Sequence, residues 1–325
     1  MTLARQTFSW WEPANRLTIL IFHRVLPTRD ALWPDEWVAQ EFELVCRWMS
    51  DWFQVIPLAE AAERLAAGSL PPRAACITFD DGYADNQALA CPILLKHGLC
   101  ATFFVSTGFL DGGRMWNDTI TEAVRLTRRE VLELRGPRLG LLNEVAMQTA
   151  ETKRSSLRAL IRLIKHLQPG ARADAVAELL EAAGLSEQDL PTNLMMSSEQ
   201  VRSLRAAGMQ IGAHTVHHPI LATLGDSDAE REIASSREHL EGLLGQRVPL
   251  FAYPNGRPGE DYLQRDVALV KRLGFSAAVT TAPGVARAGT DRFQLPRFTP
   301  WDRSRLKFGL RLARQLVTSA PSAAV

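Results

Sequence analysis

"CITFDDGYADN", residues 76–86, carries an apolar run up to Phe79 and then sets two carboxylates, Asp80 and Asp81, side by side ahead of Gly82 and Tyr83. Side chains that follow one another along a strand point to opposite faces. Both aspartates can therefore serve one pocket only if the chain turns here, and Gly82 permits that turn. Adjacent carboxylates repel unless a positive group compensates or one takes a proton. A solvated Asp-Asp-Gly turn, common where strands end, is the plainer alternative.

The flanking segments say what kind of strand this is. "LTILIFHRV" (17–25) is a compact apolar run of the sort that buried parallel strands show. Val38, Phe42, Val45, Met49 and Phe53 recur at helical spacing, which predicts a helix over 35–53. "FQVIPL" reads as a short strand, "AEAAERLAAGSLPP" as a helix closed by Gly68 and two prolines, and "CATFFV" as the strand after a helix over 85–97. Such alternation is the mark of parallel β/α architecture.

From Asp118 to about Leu190 the rhythm gives way to helical patterns with no convincing strand, so a helical insertion is expected at about 112–195. Ser197–Gln200 then fits a capping box, and strands "MQIGAH", "VPLFAYP" and "SAAVTT" alternate with helices over 228–243 and 260–273. About seven strands result, with neither a dinucleotide glycine pattern nor a phosphate loop. That favours a barrel over an open doubly wound sheet, spanning 17–300 between an N-terminal extension (1–16) and a basic C-terminal helix and tail (301–325).

In β/α barrels the carboxyl ends of the strands carry the reactive groups, and two further ends are unusual. In "IGAHTVHHPIL" (211–221), His214 and His218 stand four apart with Pro219 fixing the exit. Two imidazoles at that spacing and a carboxylate from another strand can form a facial triad around one metal ion, leaving positions open for water and substrate. A loop of solvated histidines is the alternative, and His217 can face solvent or take a ligand's place. "FAYPNGRPGEDY" (251–262) ends an apolar strand in a turn whose N–H groups, around Tyr253 and Asn255, can meet an oxyanion, although a plain turn reads equally well. Together the first two ends account for the paired aspartates: one binds the ion, and the other takes a proton from the attacking water.

"TFDDGYADN" and "HTVHHP" resemble the first two motifs of the polysaccharide deacetylase family, the nodulation-deacetylase homology domain of carbohydrate esterase family 4, and the likeness runs from about Leu17 to Phe298. It implies a distorted (β/α)7 barrel and hydrolysis of N-acetyl groups on amino sugars with a divalent metal, usually zinc. By position Asp80 is then the general base, and Asp81, His214 and His218 are the metal ligands. The family's third motif carries an arginine and a tyrosine where this chain has Ala252 and Asn255, so the arginine that orients the base is missing there. Arg297, in "LPRF", is the candidate substitute, a surface arginine being the alternative. No histidine follows His239 to act as the late general acid, and "LIFHRV" resembles the early strand on which some members carry it, which makes His23 the candidate acid. Trp116, in "GRMWNDTI", is a candidate for stacking on a sugar face or, more plainly, an anchor of the insertion.

The substrate expected on this reading is an amino-sugar polysaccharide, an oligosaccharide or a lipid-linked precursor. The alternatives are deformylation or deacylation of a lipid-linked sugar, and a non-catalytic carbohydrate-binding barrel. Formal net charge is only +1, which gives no argument for nucleic acid. Four cysteines without paired spacing read as free thiols, and the late, short apolar stretch at the start makes a poor signal peptide, so a cytoplasmic location is expected. The tail "RSRLKFGLRLARQLV" has five basic and no acidic residues, with Leu306, Leu310, Ala313 and Val317 at helical spacing. It reads as a helix docked on the barrel, with peripheral contact to an anionic membrane as the alternative.

Overall fold

The structure, a computed structural model, describes residues 15–137 and 139–317, so most of the expected N-terminal extension and the end of the tail lie outside the described residues. Seven strands follow the buried apolar runs: β1 (Arg16–Phe22), β2 (Ala74–Phe79), β3 (Thr102–Val105), β4 (Gln210–Ala213), β5 (Leu250–Ala252), β6 (Ala277–Pro283) and β7 (Leu295–Arg297). They pair in parallel in that order, and the ring closes through Phe298, whose N–H donates to Ile19 O at 2.7 Å while its O accepts from Ile21 N–H at 3.1 Å. The fold is thus a (β/α)7 barrel, distorted by a register shift between β6 and β7 and by two-residue strands at 54–55 and 286–287. Every residue of β2 is buried, as a strand covered on both faces requires.

Helices α1 (Ala39–Trp52), α2 (Leu58–Ala66) and α3 (Cys91–Lys96) surround the early strands. The predicted stripe of α1 is widened by Trp48 and Trp52, which are buried because Phe308 of the C-terminal helix lies 5.4 and 6.2 Å from their ring centres. Phe79 stacks between Phe22 at 5.4 Å and Phe103 at 4.9 Å, so the residue before Asp80 is pinned in the aromatic core.

Residues 28–36 and 111–195 form a second compact unit. Its helices α4 (Trp116–Leu126), α5 (Ala150–Ile164) and α6 (Pro169–Ala183) share a separate core that includes Ile120, Val124, Leu157, Leu160 and Leu179. Contrary to the strand-free reading of this segment, Val131–Glu133 pairs antiparallel with Glu144–Ala146. Strands three residues long are too short to establish a period of two. The barrel resumes with α7 (Ser198–Ala206), where Ser197 and Gln200 make the expected reciprocal cap, and continues with α8 (Asp226–Leu244), α9 (Gln264–Arg272) and α10 (Arg305–Val317).

Candidate active site

The strand carrying the paired aspartates ends in an abrupt reversal. Asp80 N–H donates to Phe22 O at 2.9 Å, extending the β1 pairing as far as the first carboxylate. Gly82 N–H then donates back to Asp80 O at 3.0 Å across Asp81, whose φ is +77°. This is a three-residue turn of the strained kind. A non-glycine residue held there costs about 1–3 kcal/mol, and such conformations persist only where surroundings over-determine them. Here Ser106 N–H binds Asp81 O at 3.2 Å and Met196 N–H binds Gly82 O at 2.9 Å. Gly82 has φ +92°, and a Cβ on it would lie 3.1 Å from Val105 Cγ1, so any other residue here would be strained and crowded. The turn anticipated at Gly82 thus begins one residue earlier, at Asp81 itself.

Asp80 is 2% exposed and is gripped by Arg297, which is fully buried. Nη1 donates to Oδ1 at 2.7 Å and Nη2 to Oδ2 at 2.6 Å. Arg297 is itself fixed by Nε donating to Thr280 O at 2.7 Å and Nη1 to Thr78 Oγ1 at 3.1 Å. Burial alone would raise the Asp80 carboxyl, but the guanidinium outweighs it and holds the group below its ordinary value. Each carboxylate oxygen keeps a further lone pair after the fork is made.

Asp81 meets the two histidines. Its Oδ1 lies 3.4 Å from His214 Nε2 and 3.4 Å from His218 Nε2, and the three ligand atoms all lie within 4.8 Å of one another. Oδ1 is buried and takes part in no hydrogen bond of normal geometry among the described residues. Two N or O atoms bound tetrahedrally to one ion at about 2.1 Å stand roughly 3.4 Å apart, so the donor set fits a divalent cation. His214 Nδ1–H donates to Ala252 O at 2.7 Å, which leaves the Nε2 lone pair facing Asp81. Burial pushes the His218 pKa down to about 4, so its imidazole is neutral at pH 7, as a ligand must be.

A carboxylate missed by the sequence reading holds the histidine loop. Glu232 of α8 accepts from Val216 N–H at 2.9 Å and His217 N–H at 2.8 Å through Oε2, and pairs with His217 Nδ1 at 2.8 Å through Oε1. His217 is therefore turned outward onto Glu232, with 65% of its side chain exposed. The clamp holds a segment in which Thr215 and His218 have φ of +63° and +52°. Loosening this loop displaces His218, so Glu232→Gln is expected to weaken binding of a divalent cation by the candidate triad about 10-fold in isothermal titration calorimetry with zinc as the probe. Unchanged affinity would mean that the loop keeps its shape without the clamp.

The sequence model described as Polysaccharide deacetylase matches residues 67–130 and 174–278, which include every residue of this triad. The chain belongs to the polysaccharide deacetylase family. YxkH of Bacillus subtilis (strain 168), which carries a polysaccharide deacetylase name, is 23% identical over 288 residues, covering 88% of this chain and 72% of YxkH. Among solved structures, the Streptococcus pyogenes deacetylase PplD in complex with acetate superposes with a TM-score of 0.62 at 19% identity, covering 91% of this chain and 97% of PplD. IcaB from Ammonifex degensii superposes at 0.60 with 20% identity, covering 93% and 97%.

The remaining candidates of the deacetylase reading fall in different places. His23 follows β1 directly, is exposed rather than a core histidine, and contributes to the electrostatic environment of Asp80, Asp81 and His218. Its main chain is held by Asn86 Nδ2 donating to His23 O at 2.8 Å, and the next residue by Arg24 Nε donating to Asp85 at 2.8 Å. Asp85 and Asn86 lie in the opening motif, yet their partners are about sixty residues away and left no local signal.

Tyr253 requires a correction. Its side chain is fully buried, its OH donates to Phe293 O at 3.0 Å, and its N–H is committed to Val279 O at 3.2 Å, so neither donor is available to a substrate. Asn255, at φ +57°, is half-buried, and its N–H meets no acceptor among the described residues. Trp116 is half-buried at the start of α4, packed on the core of the second unit, with the Arg172 guanidinium 5.3 Å from its ring centre.

Proposed function

We propose that the chain is a metal-dependent N-deacetylase acting on amino sugars of a polysaccharide, an oligosaccharide or a lipid-linked precursor. The observation that carries this reading is the buried Asp80–Arg297 fork beside the Asp81–His214–His218 cluster, one carboxylate engaged by a guanidinium and the other facing two imidazole Nε2 atoms. The acetate in the Streptococcus pyogenes relative supports the acyl group chosen, since acetate is what cleavage of an N-acetyl amide releases.

A divalent ion, zinc in this reading, would be held by Asp81, His214 and His218, and when bound would supply Lewis-acid polarisation of the amide carbonyl and acidify a water molecule. Asp80, held ionised by Arg297, takes a proton from the attacking water as its oxygen bonds to the carbonyl carbon. The Asn255 N–H is the main-chain donor available to the developing oxyanion. His23 delivers a proton to the amide nitrogen as the C–N bond breaks, so that the products are acetate and a free amine. The four free cysteines, three of them buried, fit the reducing cytoplasm assumed in this reading.

The direct test is acetate release from N-acetylated oligosaccharides and lipid-linked sugars by wild type and Asp80→Asn. Loss of the general base is expected to cost about 10²- to 10⁴-fold in rate. Equal, background-level release by both proteins on every substrate would shift the reading to a carbohydrate-binding barrel.

A further inference from the structure

The tail stripe read from the sequence, Leu306 and Leu310, is not the docking face of α10. Phe308 and Leu312 are buried on the barrel, Gly309 lies against Trp52, and Leu306 and Leu310 are 72% and 62% exposed. Residues four and seven apart share a helix face, so Lys307 and Arg314, both exposed, flank the two leucines. Trp301, just before the helix, is 66% exposed. The other basic residues are paired with acids: Arg303 with Glu41, Arg305 with Asp51 and Arg311 with Asp302.

We infer that this outward face, Trp301, Leu306 and Leu310 with Lys307 and Arg314, docks on an anionic lipid surface. No helix among the described residues is long and apolar enough to cross a membrane, so the contact is one of lying on the surface. Charge complementarity selects lipid over a second copy of the chain. The sequence from Arg303 to Val325 contains no acidic residue, so two such faces brought together would set cation against cation. Leucines and a tryptophan enter the headgroup boundary while Lys307 and Arg314 reach the phosphates. The inference does not depend on the reaction catalysed.

The test is co-sedimentation of the full chain with phosphatidylglycerol–phosphatidylcholine vesicles and with phosphatidylcholine alone. Binding should require the anionic lipid and weaken as salt rises, by about fivefold for each of Lys307 and Arg314 changed to Gln. Leu306→Glu combined with Leu310→Glu should abolish pelleting while leaving the melting temperature unchanged, because both side chains already face water. Equal pelleting of wild type and this double variant would overturn the inference. So would a wild-type dimer that the double variant dissociates, in the absence of vesicle binding, since a second copy would then be the occupant.

Discussion

Arg297→Leu is expected to lower stability by about 3–5 kcal/mol, the usual consequence of leaving one member of a buried ion pair without its partner. The guanidinium has no exposed surface and makes four hydrogen bonds: two to Asp80, one to Thr280 and one to Thr78. Leucine fills part of the space but strands a carboxylate that is 2% exposed. Asp80 would then escape the penalty by taking a proton, since burial by itself raises its pKa. Two readouts should therefore move together: the midpoint of denaturant unfolding falls, and hydrolysis drops about as far as in Asp80→Asn. On the proposed mechanism zinc content should stay that of wild type, because no hydrogen bond joins Arg297 to Asp81, His214 or His218 among the described residues. Arg297→Lys separates charge from shape. A lysine restores a positive charge without the planar fork, so stability should recover more than activity does. Full activity in Arg297→Leu would show that the base needs no orienting partner.

The second large effect concerns the cation. Asp81→Ala, or removal of metal by a chelator, should reduce hydrolysis to the background rate, and only the chelated wild type should recover on adding zinc. Asp81 Oδ1 is the atom common to both imidazole contacts, at 3.4 Å in each case, so its loss opens the cluster more than loss of either histidine. Zinc retained after dialysis, measured by mass spectrometry, should fall from about one per chain to a trace. Wild-type hydrolysis surviving full chelation would leave the Asp80–Arg297 fork as the whole machinery and remove the cation from the proposal.

These two predictions rest on residues that were legible in the sequence to different degrees. Asp80, Asp81, His214 and His218 lie in short motifs at strand ends, and local pattern was enough to single them out. Arg297 was named only through a resemblance that left a vacancy for an arginine, because its partner is 217 positions away and no local pattern encodes such a contact. Glu232, which clamps the histidine loop, sits on an ordinary amphipathic helix and gave no sign of its role. Tyr253 drew attention by its position in the third motif, yet it stacks on Tyr262 at 3.9 Å inside the core, where the ladder uses its N–H. The barrel itself was readable because buried parallel strands are continuous apolar runs. The face of α10 was not, because Leu306/Leu310 and Phe308/Leu312 recur with the same period, and only the position of Trp48 and Trp52 decides between them.

The hydrogen bonds that seal the ring are made by Phe298, the neighbour of Arg297. Closing the ring and placing the guanidinium against Asp80 thus depend on one stretch of chain, Leu295 to Phe298. A nascent or truncated chain ending before Leu295 would lack both, however well its earlier strands had assembled. On the proposed mechanism, hydrolytic activity therefore reports closure of the ring.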